Sequence, residues 1–564
     1  MAFAELLEHV GSLGRFQIFQ IVSLVIPIIC VTPHNLLDNF TAAVPDHRCR
    51  HPLLDNAMAS LNVTRGLDPD ALLRVFIPLD KHQKLERCRR FLHPQWQLLE
   101  LNASAPNASE ADTEPCLDGW VYDRSDFSST IVSEWDMVCD WQFLKPMAQS
   151  IFMAGIMTGA IICGLVSDKF GRRLVLSCCY LQLAITGTCS AVVPNFFLYC
   201  CLRFLSAFAV AGITMNAGIL MIEWTKTQAG ATVMTISSLG FSVGEFLLSG
   251  VAYAIRDWCF LQLAVSVPFV LFFLSSWWLA ESARWLIVTG KIDQGLHALR
   301  RVAGINGKKD SMECLQRGIP SWVGGKLGKT PNNPSGQGES ALTTCLFLLP
   351  SLLRFAIGFV FYGLILDLQN MGSNLFLLQV LFGVIDIPSK TGSFFAMNYI
   401  GRRITQAGSL ILAGLCILAN AVIAQELQVL RVTLAVLGIG FVGSTYTVLS
   451  IYSSELFPTV LRMTAIGGGQ MAMRLGSILG PLVKLLNQFN PLLPLFIYGG
   501  VSVITGLTAL LLPETLNMPL PDTIHDVESR EAGHFAILQL QKFNIPIQVE
   551  EVPWSLPSAL RGRH

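Results

Sequence analysis

Gly164-Leu165-Val166-Ser167-Asp168-Lys169-Phe170-Gly171-Arg172-Arg173 decides the fold, because its last three residues return as Gly401-Arg402-Arg403 at an offset of 230 (401 − 171). Three further charged landmarks keep nearly that spacing: Arg203 with Arg431 at 228 (431 − 203), Glu223 with Glu455 at 232 (455 − 223), Glu281 with Glu514 at 233 (514 − 281). Loops favour charge in any chain of this kind. Four landmarks in one order at one spacing argue for an internal duplication. The second copy carries Asn398 where the first has Asp168.

What is duplicated is apolar. Hydrophobic residues make up 52% of the chain and charged residues 14%, and mean hydropathy is +0.52. A soluble chain carries about 25% charged residues, so most of this one faces lipid or packed helices. The net charge is zero, which gives no global field toward nucleic acid. A helix crosses a bilayer with about 20 apolar residues. Such runs fall at 16–37, 146–166, 174–193, 197–221, 231–253 and 259–279, then at 341–366, 374–397, 404–424, 430–452, 463–486 and 491–512. The expectation is an all-α membrane protein of twelve helices in two pseudo-symmetric halves. An N-terminal segment (1–15) precedes a first half (16–279) that contains a long loop (38–145). A linker (280–340), a second half (341–512) and a tail (513–564) follow. The run from Phe16 to Leu37 lacks the small-residue cleavage site of a secretory leader, so it reads as the first span.

Orientation follows from Lys and Arg in the short loops. One set holds Lys169, Arg172, Arg173, Lys226, Arg402, Arg403 and Arg462. The opposite set, around 193–195, 256–258, 370–374 and 488–490, holds Arg256 as its single basic residue. The basic set reads as cytoplasmic, with both termini inside and the loop 38–145 outside. That loop contains Cys49, Cys88, Cys116 and Cys139, an even number suited to an oxidising compartment. Three pairings are possible, and the sequence does not choose among them. Sequons at Asn62, Asn102 and Asn107 make these residues candidate glycosylation sites on the same side. A fourth, at Asn39, lies too close to the helix end to be read with the others.

The stretch 164–173 is similar to the loop signature of the major facilitator superfamily, and Ala280-Glu281-Ser282-Ala283-Arg284-Trp285-Leu286 and Pro513-Glu514-Thr515 resemble its segments after helices six and twelve. Within it, most of the chain resembles the organic anion transporter family. The resemblance is carried by Asp112-Thr113-Glu114-Pro115-Cys116, Asp118-Gly119-Trp120-Val121-Tyr122-Asp123, Ser129-Thr130-Ile131-Val132 with Trp135-Asp136, Tyr452-Ser453-Ser454-Glu455-Leu456-Phe457-Pro458-Thr459 and Leu520-Pro521-Asp522-Thr523-Ile524. It implies a plasma-membrane secondary transporter that exchanges organic anions such as urate, carboxylates or sulfated steroids for a counter-anion by alternating access, with no cofactor. Residues 311–340, nine of them Gly or Pro, and the tail from Arg530 to His564 depart from the family. These departures bear on regulation and surface retention more than on the pore.

An ionisable group at the bilayer centre costs about 2.5–3.5 kcal/mol on insertion scales, so groups placed there need a reason. Asp386 and Lys390 lie four apart on helix eight, and Arg474 lies about a dozen residues into helix eleven. Lys390 and Arg474 make a cationic site for an anion, to which Arg brings a planar fork for two hydrogen bonds. The plainer alternatives are that Lys390 pairs with Asp386 and that Arg474 caps a carbonyl or snorkels. Arg354 on helix seven reads as structural. The resemblance assigns Lys390 and Arg474 to anion recognition. It aligns Phe241, Phe361, Tyr362 and Tyr446 with the aromatic pocket of the urate-exchanging members, to which Asn35 adds an amide. Those members have His where this chain has Glu245 and Phe where it has Ile357. Glu245 stands one turn from Phe241 and either repels an anion as a carboxylate or stays protonated in a site of low dielectric, which makes urate a less secure substrate than the anion class.

On the cytoplasmic side Asp168, Arg172, Arg173, Glu223, Arg402, Arg403 and Glu455 form a candidate gate, of residue types that bridge helices and hold one conformation shut. No phosphate-binding glycine loop, metal cluster or nucleophile–base pair emerges, which argues against an enzyme or an ATP-driven pump. An organic cation transporter, which Glu245 would favour, and a transport-inactive binding protein are the competing readings.

Overall fold

The computed structural model describes residues 11, 14–52, 69–80, 84–99, 112–225, 227–308, 341–365, 374–423, 427–457, 462–490 and 492–516. The sequons at Asn62, Asn102 and Asn107 and the atypical stretches 311–340 and 530–564 lie outside them.

Six helical spans form the first half: α1 (Arg15–Leu36), α2 (Leu144–Phe170), α3 (Arg172–Cys189), α4 (Phe196–Glu223), α5 (Thr227–Ala254) and α6, in two pieces (Trp258–Ser266 and Pro268–Ser275). Six more form the second: α7 (Ala341–Ile365), α8 (Leu375–Tyr399), α9 (Arg402–Val422), α10 (Gln428–Leu456), α11 (Arg462–Leu482) and α12 (Leu493–Ala509). Among the described residues nine of these spans are long and apolar enough to cross a membrane by themselves, whereas α12 is a shorter apolar helix. Two spans differ from their expected form. α6 is interrupted at Val267, before Pro268, which lacks the N–H a continuous helix needs. α11 ends at Leu482 and passes into a 3-10 turn, Val483–Gln488, just past Pro481.

Three of the helices that start on the face carrying the long loop have short polar caps. Asn195, Asp257 and Asn374 accept hydrogen bonds from the first free N–H groups of α4, α6 and α8. On the opposite, arginine-rich face the duplicated motif builds the same joint twice. Gly171 and Gly401 both have φ +105°, where a side chain is disfavoured. The N–H groups of Arg172 and Arg173 donate to the Glu281 carboxylate, both at 3.1 Å. Those of Arg402 and Arg403 donate to Glu514 at 2.8 and 3.0 Å. Each carboxylate thus caps the N-terminus of the third helix of its half, where the orphan N–H groups and the helix dipole favour negative charge. The spacing of 233 between the two glutamates is therefore the spacing of a shared tertiary contact.

Within the halves the closest helix pairs meet backbone to backbone at glycines. A Cβ on Gly155 of α2 would lie 2.5 Å from the Phe204 carbonyl of α4, and one on Gly476 of α11 would lie 2.1 Å from the Phe355 carbonyl of α7. Between the halves the main contacts are α2 with α11 and α5 with α8. The duplication pairs α2 with α8 and α5 with α11, so these two seams are related by the internal symmetry.

The long loop is held by two antiparallel ribbons. β1 (His47–Cys49) pairs with β4 (Trp120–Tyr122), and β2 (Arg89–Phe91) pairs with β3 (Thr113–Pro115). Of the three possible pairings the cysteines adopt Cys49–Cys116 and Cys88–Cys139. The Arg90 guanidinium, nearly buried, bonds Glu114 at 2.8 Å and Asp118 at 2.6 Å. Trp135 packs edge-on or tilted against the rings of Phe196, Tyr199 and Trp258, which seats the loop on α4 and α6.

Candidate substrate site

A cavity of about 280 Å³ lies between the halves, and all nine candidate substrate residues line it. α1 contributes Asn35, and α5 contributes Phe241 and Glu245, one turn apart. Phe361 and Tyr362 come from α7, Asp386 and Lys390 from α8, Tyr446 from α10 and Arg474 from α11. Ile357 also lines it.

The charged groups are in three different situations. Lys390 Nζ lies 2.6 Å from Asp386 Oδ2, and both side chains are mostly buried. The Ser242 hydroxyl donates to the same carboxylate oxygen at 2.5 Å, and Lys390 Nζ reaches back to that hydroxyl at 3.4 Å. This triad ties α5 to α8 across the seam between the halves, and it leaves Lys390 with its own counter-charge. Glu245 is 3% exposed. Arg474 is half-buried and forms no hydrogen bond or ion pair with any described residue. Its guanidinium is a cation without a partner among the described residues, and Phe361, Tyr362 and Tyr446 line the same cavity. A planar donor fork flanked by aromatic walls can hold a flat or ring-bearing anion by two charge-assisted hydrogen bonds and by stacking.

Ser242 escaped sequence reading because a serine in an apolar helix gives no signal of its own. Spacing offers a hint after the fact, since Ser242 and Glu245 stand three apart on one helix face. Arg354 is buried on α7 and donates to Ser453 Oγ at 3.1 Å. That bond ties α7 to α10.

The two ends of the cavity differ. Asn39 Nδ2 donates to Gln379 Oε1 at 3.1 Å, and Ser150 Oγ donates to the Ile478 carbonyl at 2.8 Å. Phe376 packs against Phe40, Phe127 and Tyr253, with Arg256 over its ring. These contacts join the halves on the loop face and close the cavity there. The amide of Asn39, in the fourth sequon, is thus committed inside this seal. On the arginine face the gate candidates bond within their own halves. Arg172 pairs with Asp168 at 2.8 Å and Glu223 at 3.6 Å, and Arg402 pairs with Glu455 at 3.1 Å. The Arg173 side chain donates to the carbonyls of Ser276 and Trp277 beyond α6, whereas Arg403 contributes its backbone N–H to Glu514. Deeper in the first half Arg203 pairs with Asp38 at 2.8 Å and lies over the Phe152 ring.

Two repeated halves of helices around a central cavity, with a cation that no described residue pairs, define a membrane transporter of the major facilitator type. The family model described as sugar (and other) transporter matches residues 141–523. The chain belongs to that family and, within it, to solute carrier family 22. Human solute carrier family 22 member 12 is 55% identical over 543 residues, which span 94% of this chain and 96% of the relative. Human solute carrier family 22 member 11 is 47% identical, covering 94% and 97%. A steroid transmembrane transporter, SLC22A24, of Microcebus murinus is 49% identical, covering 94% and 96%. Among solved structures, the xylose transporter XylE from E. coli in a partially occluded inward-open conformation superposes with a TM-score of 0.55. That match covers 88% of this chain and 98% of that one at 15% identity, a likeness of fold.

Proposed function

We propose that this transporter moves small organic anions across the plasma membrane by alternating access, with exchange against a second anion as its ordinary mode. The observation that carries this reading is Arg474, a half-buried guanidinium with no partner among the described residues, set in a cavity walled by Phe241, Phe361, Tyr362 and Tyr446. A cation left unpaired at that depth costs several kcal/mol, a cost that a bound anion offsets. Urate, carboxylates and sulfated steroids are the candidate cargo. The last is favoured by relatives named as steroid transmembrane transporters at 46–49% identity.

The loop 38–145 lies outside the cell in this reading, and both ends of the chain lie inside. Its two disulfides and the bias of Lys and Arg toward the opposite face support that orientation. The ion pairs of Arg172 and Arg402 keep each half rigid while the halves rock about the cavity. Glu245 favours a second reading, an organic cation transporter. Uptake of labelled urate, estrone sulfate and tetraethylammonium into oocytes displaying the chain separates the two. The proposal expects uptake of at least one of the anions and none of the cation; uptake of tetraethylammonium alone would reverse the assignment.

A further inference from the structure

Glu245 is the carboxylate of the cavity that no described residue bonds directly. Its carboxyl group has no hydrogen-bond or ion-pair partner among the described residues. It shares a helix face with Ser242, which holds Asp386, so its electrostatic neighbours are Asp386 and Lys390 of α8. α1 presents Thr32 and Asn35 to the cavity, neither of them ionisable. The His34 ring is turned away to the Val265 carbonyl, and Arg203 of α4 is taken by Asp38. α6 brings Cys259 at its loop-face end. Across the cavity stand Arg474 and the phenols of Tyr362 and Tyr446.

With every group ionised, the lining holds two negative charges, Glu245 and Asp386, and two positive charges, Lys390 and Arg474. The empty cavity is then neutral. A bound monoanion brings the sum to minus one in a site of low dielectric, and one proton restores it to zero. Asp386 is already engaged by Lys390 and by the Ser242 hydroxyl. Glu245 is the group left to take that proton.

We propose that Glu245 binds a proton when an organic monoanion occupies the cavity, so that this transporter can carry one proton with each anion. This rests on the anion reading above. The proton comes from water on the side to which the cavity is open. It forms an O–H bond on the Glu245 carboxyl group, and that bond breaks to water when the anion leaves on the other side. Two forms are charge-balanced and able to change orientation: anion with proton, and empty with Glu245 ionised. A cavity that returns empty delivers a net proton, whereas one that returns with a second anion keeps its proton.

The test uses the full chain in proteoliposomes containing buffer and a trapped pH dye. The probe is whichever of estrone sulfate or urate enters faster. Lowering the outside pH from 7.4 to 6.0 should raise initial uptake several-fold, and the probe should acidify the interior. Loading the vesicles with the same anion should abolish the acidification while uptake continues. Glu245→Gln should lose the acidification, and whatever anion uptake it retains, fast or slow, should no longer depend on pH. Wild-type uptake without interior acidification overturns the proposal even if the variant does not fold. So does pH-dependent, proton-coupled uptake by Glu245→Gln, or transport confined to anion-loaded vesicles. Failure of the well-displayed chain to take up either anion in vesicles and oocytes alike would remove the anion reading as well.

Discussion

Lys390 and Asp386, one turn apart on α8, meet at 2.6 Å with Ser242 of α5 bound to the same carboxylate. The pair is mostly buried, and a buried ion pair resists the loss of one member more than the loss of both. Breaking one side costs about 3–5 kcal/mol, because the other charge is stranded. Lys390→Ala and Asp386→Ala should each cut surface abundance several-fold, and the double variant should recover much of it. Surface biotinylation of the three variants checks this. Simply additive losses would show that the two charges are not coupled.

Gly171 and Gly401 support the same joint in each half. A Cβ would stand 2.5 Å from Glu281 Oε2 in the first and 2.6 Å from Glu514 Oε2 in the second, at φ +105° in both. Holding a non-glycine residue in such a conformation costs about 1–3 kcal/mol. Gly171→Ala and Gly401→Ala should therefore lower the thermal unfolding midpoint of the detergent-purified protein to similar extents. A loss confined to one of them would mean that the two joints bear unequal loads.

The disulfide pairing makes a statement about non-additivity. Cys88 is joined to Cys139 and Cys49 to Cys116, and removing a bridge from a small extracytoplasmic domain costs about 2–5 kcal/mol. Cys88→Ser, Cys139→Ser and the double variant should lose surface abundance equally. Adding Cys49→Ser to any of them should make a further loss. If Cys88→Ser and Cys139→Ser instead add, the two residues are not partners.

The loop-face seal should open when its centre is removed. Phe376 meets three aromatic rings, and Gln379, one turn on, receives the Asn39 amide. Phe376→Ala with Gln379→Ala should raise labelling of a cysteine placed at Asn35 by a membrane-impermeant thiol reagent several-fold over the sealed parent. Unchanged labelling would place the barrier elsewhere.

The parts of this molecule that were legible in the sequence are those with a period or a repeat. Charged landmarks at constant offset located both halves, and the apolar runs placed the twelve spans to within a few residues. Intramembrane charge is rare enough that Asp386, Lys390 and Arg474 stood out as one site, and the structure does place them on one cavity. Partner choice was not legible. Spacing showed that Arg172 and Arg402 are equivalent but not that each finds its carboxylate inside its own half. The cysteine bridges depend on how two ribbons cross, which no local pattern encodes. Ser242, Gln379 and Phe376 carry no signal because serine, glutamine and phenylalanine are ordinary in such helices. Their roles appear only when the second half is brought against the first.

Arg474 gives the most discriminating prediction for transport. It is the thirteenth residue of α11 (Arg462–Leu482), at mid-membrane depth, without a partner among the described residues. A hydrogen bond to a charged group is worth about 1.5–3 kcal/mol, and 1.4 kcal/mol is about tenfold in rate or affinity. Arg474→Ala should therefore lower anion uptake by about 10- to 100-fold. Lys keeps the charge but not the planar two-point fork, so Arg474→Lys should fall between Ala and wild type. Arg474→Asp would add a third carboxylate to Glu245 and Asp386, and it should abolish uptake. Surface abundance should change little across the series, because Arg474 makes no hydrogen bond or ion pair with a described residue. If charge alone matters, Lys will equal wild type. If Arg474 instead holds the fold, abundance and uptake will fall together. Normal uptake by a well-displayed Arg474→Ala protein would take the residue out of the binding site, and the anion assignment would lose its main support.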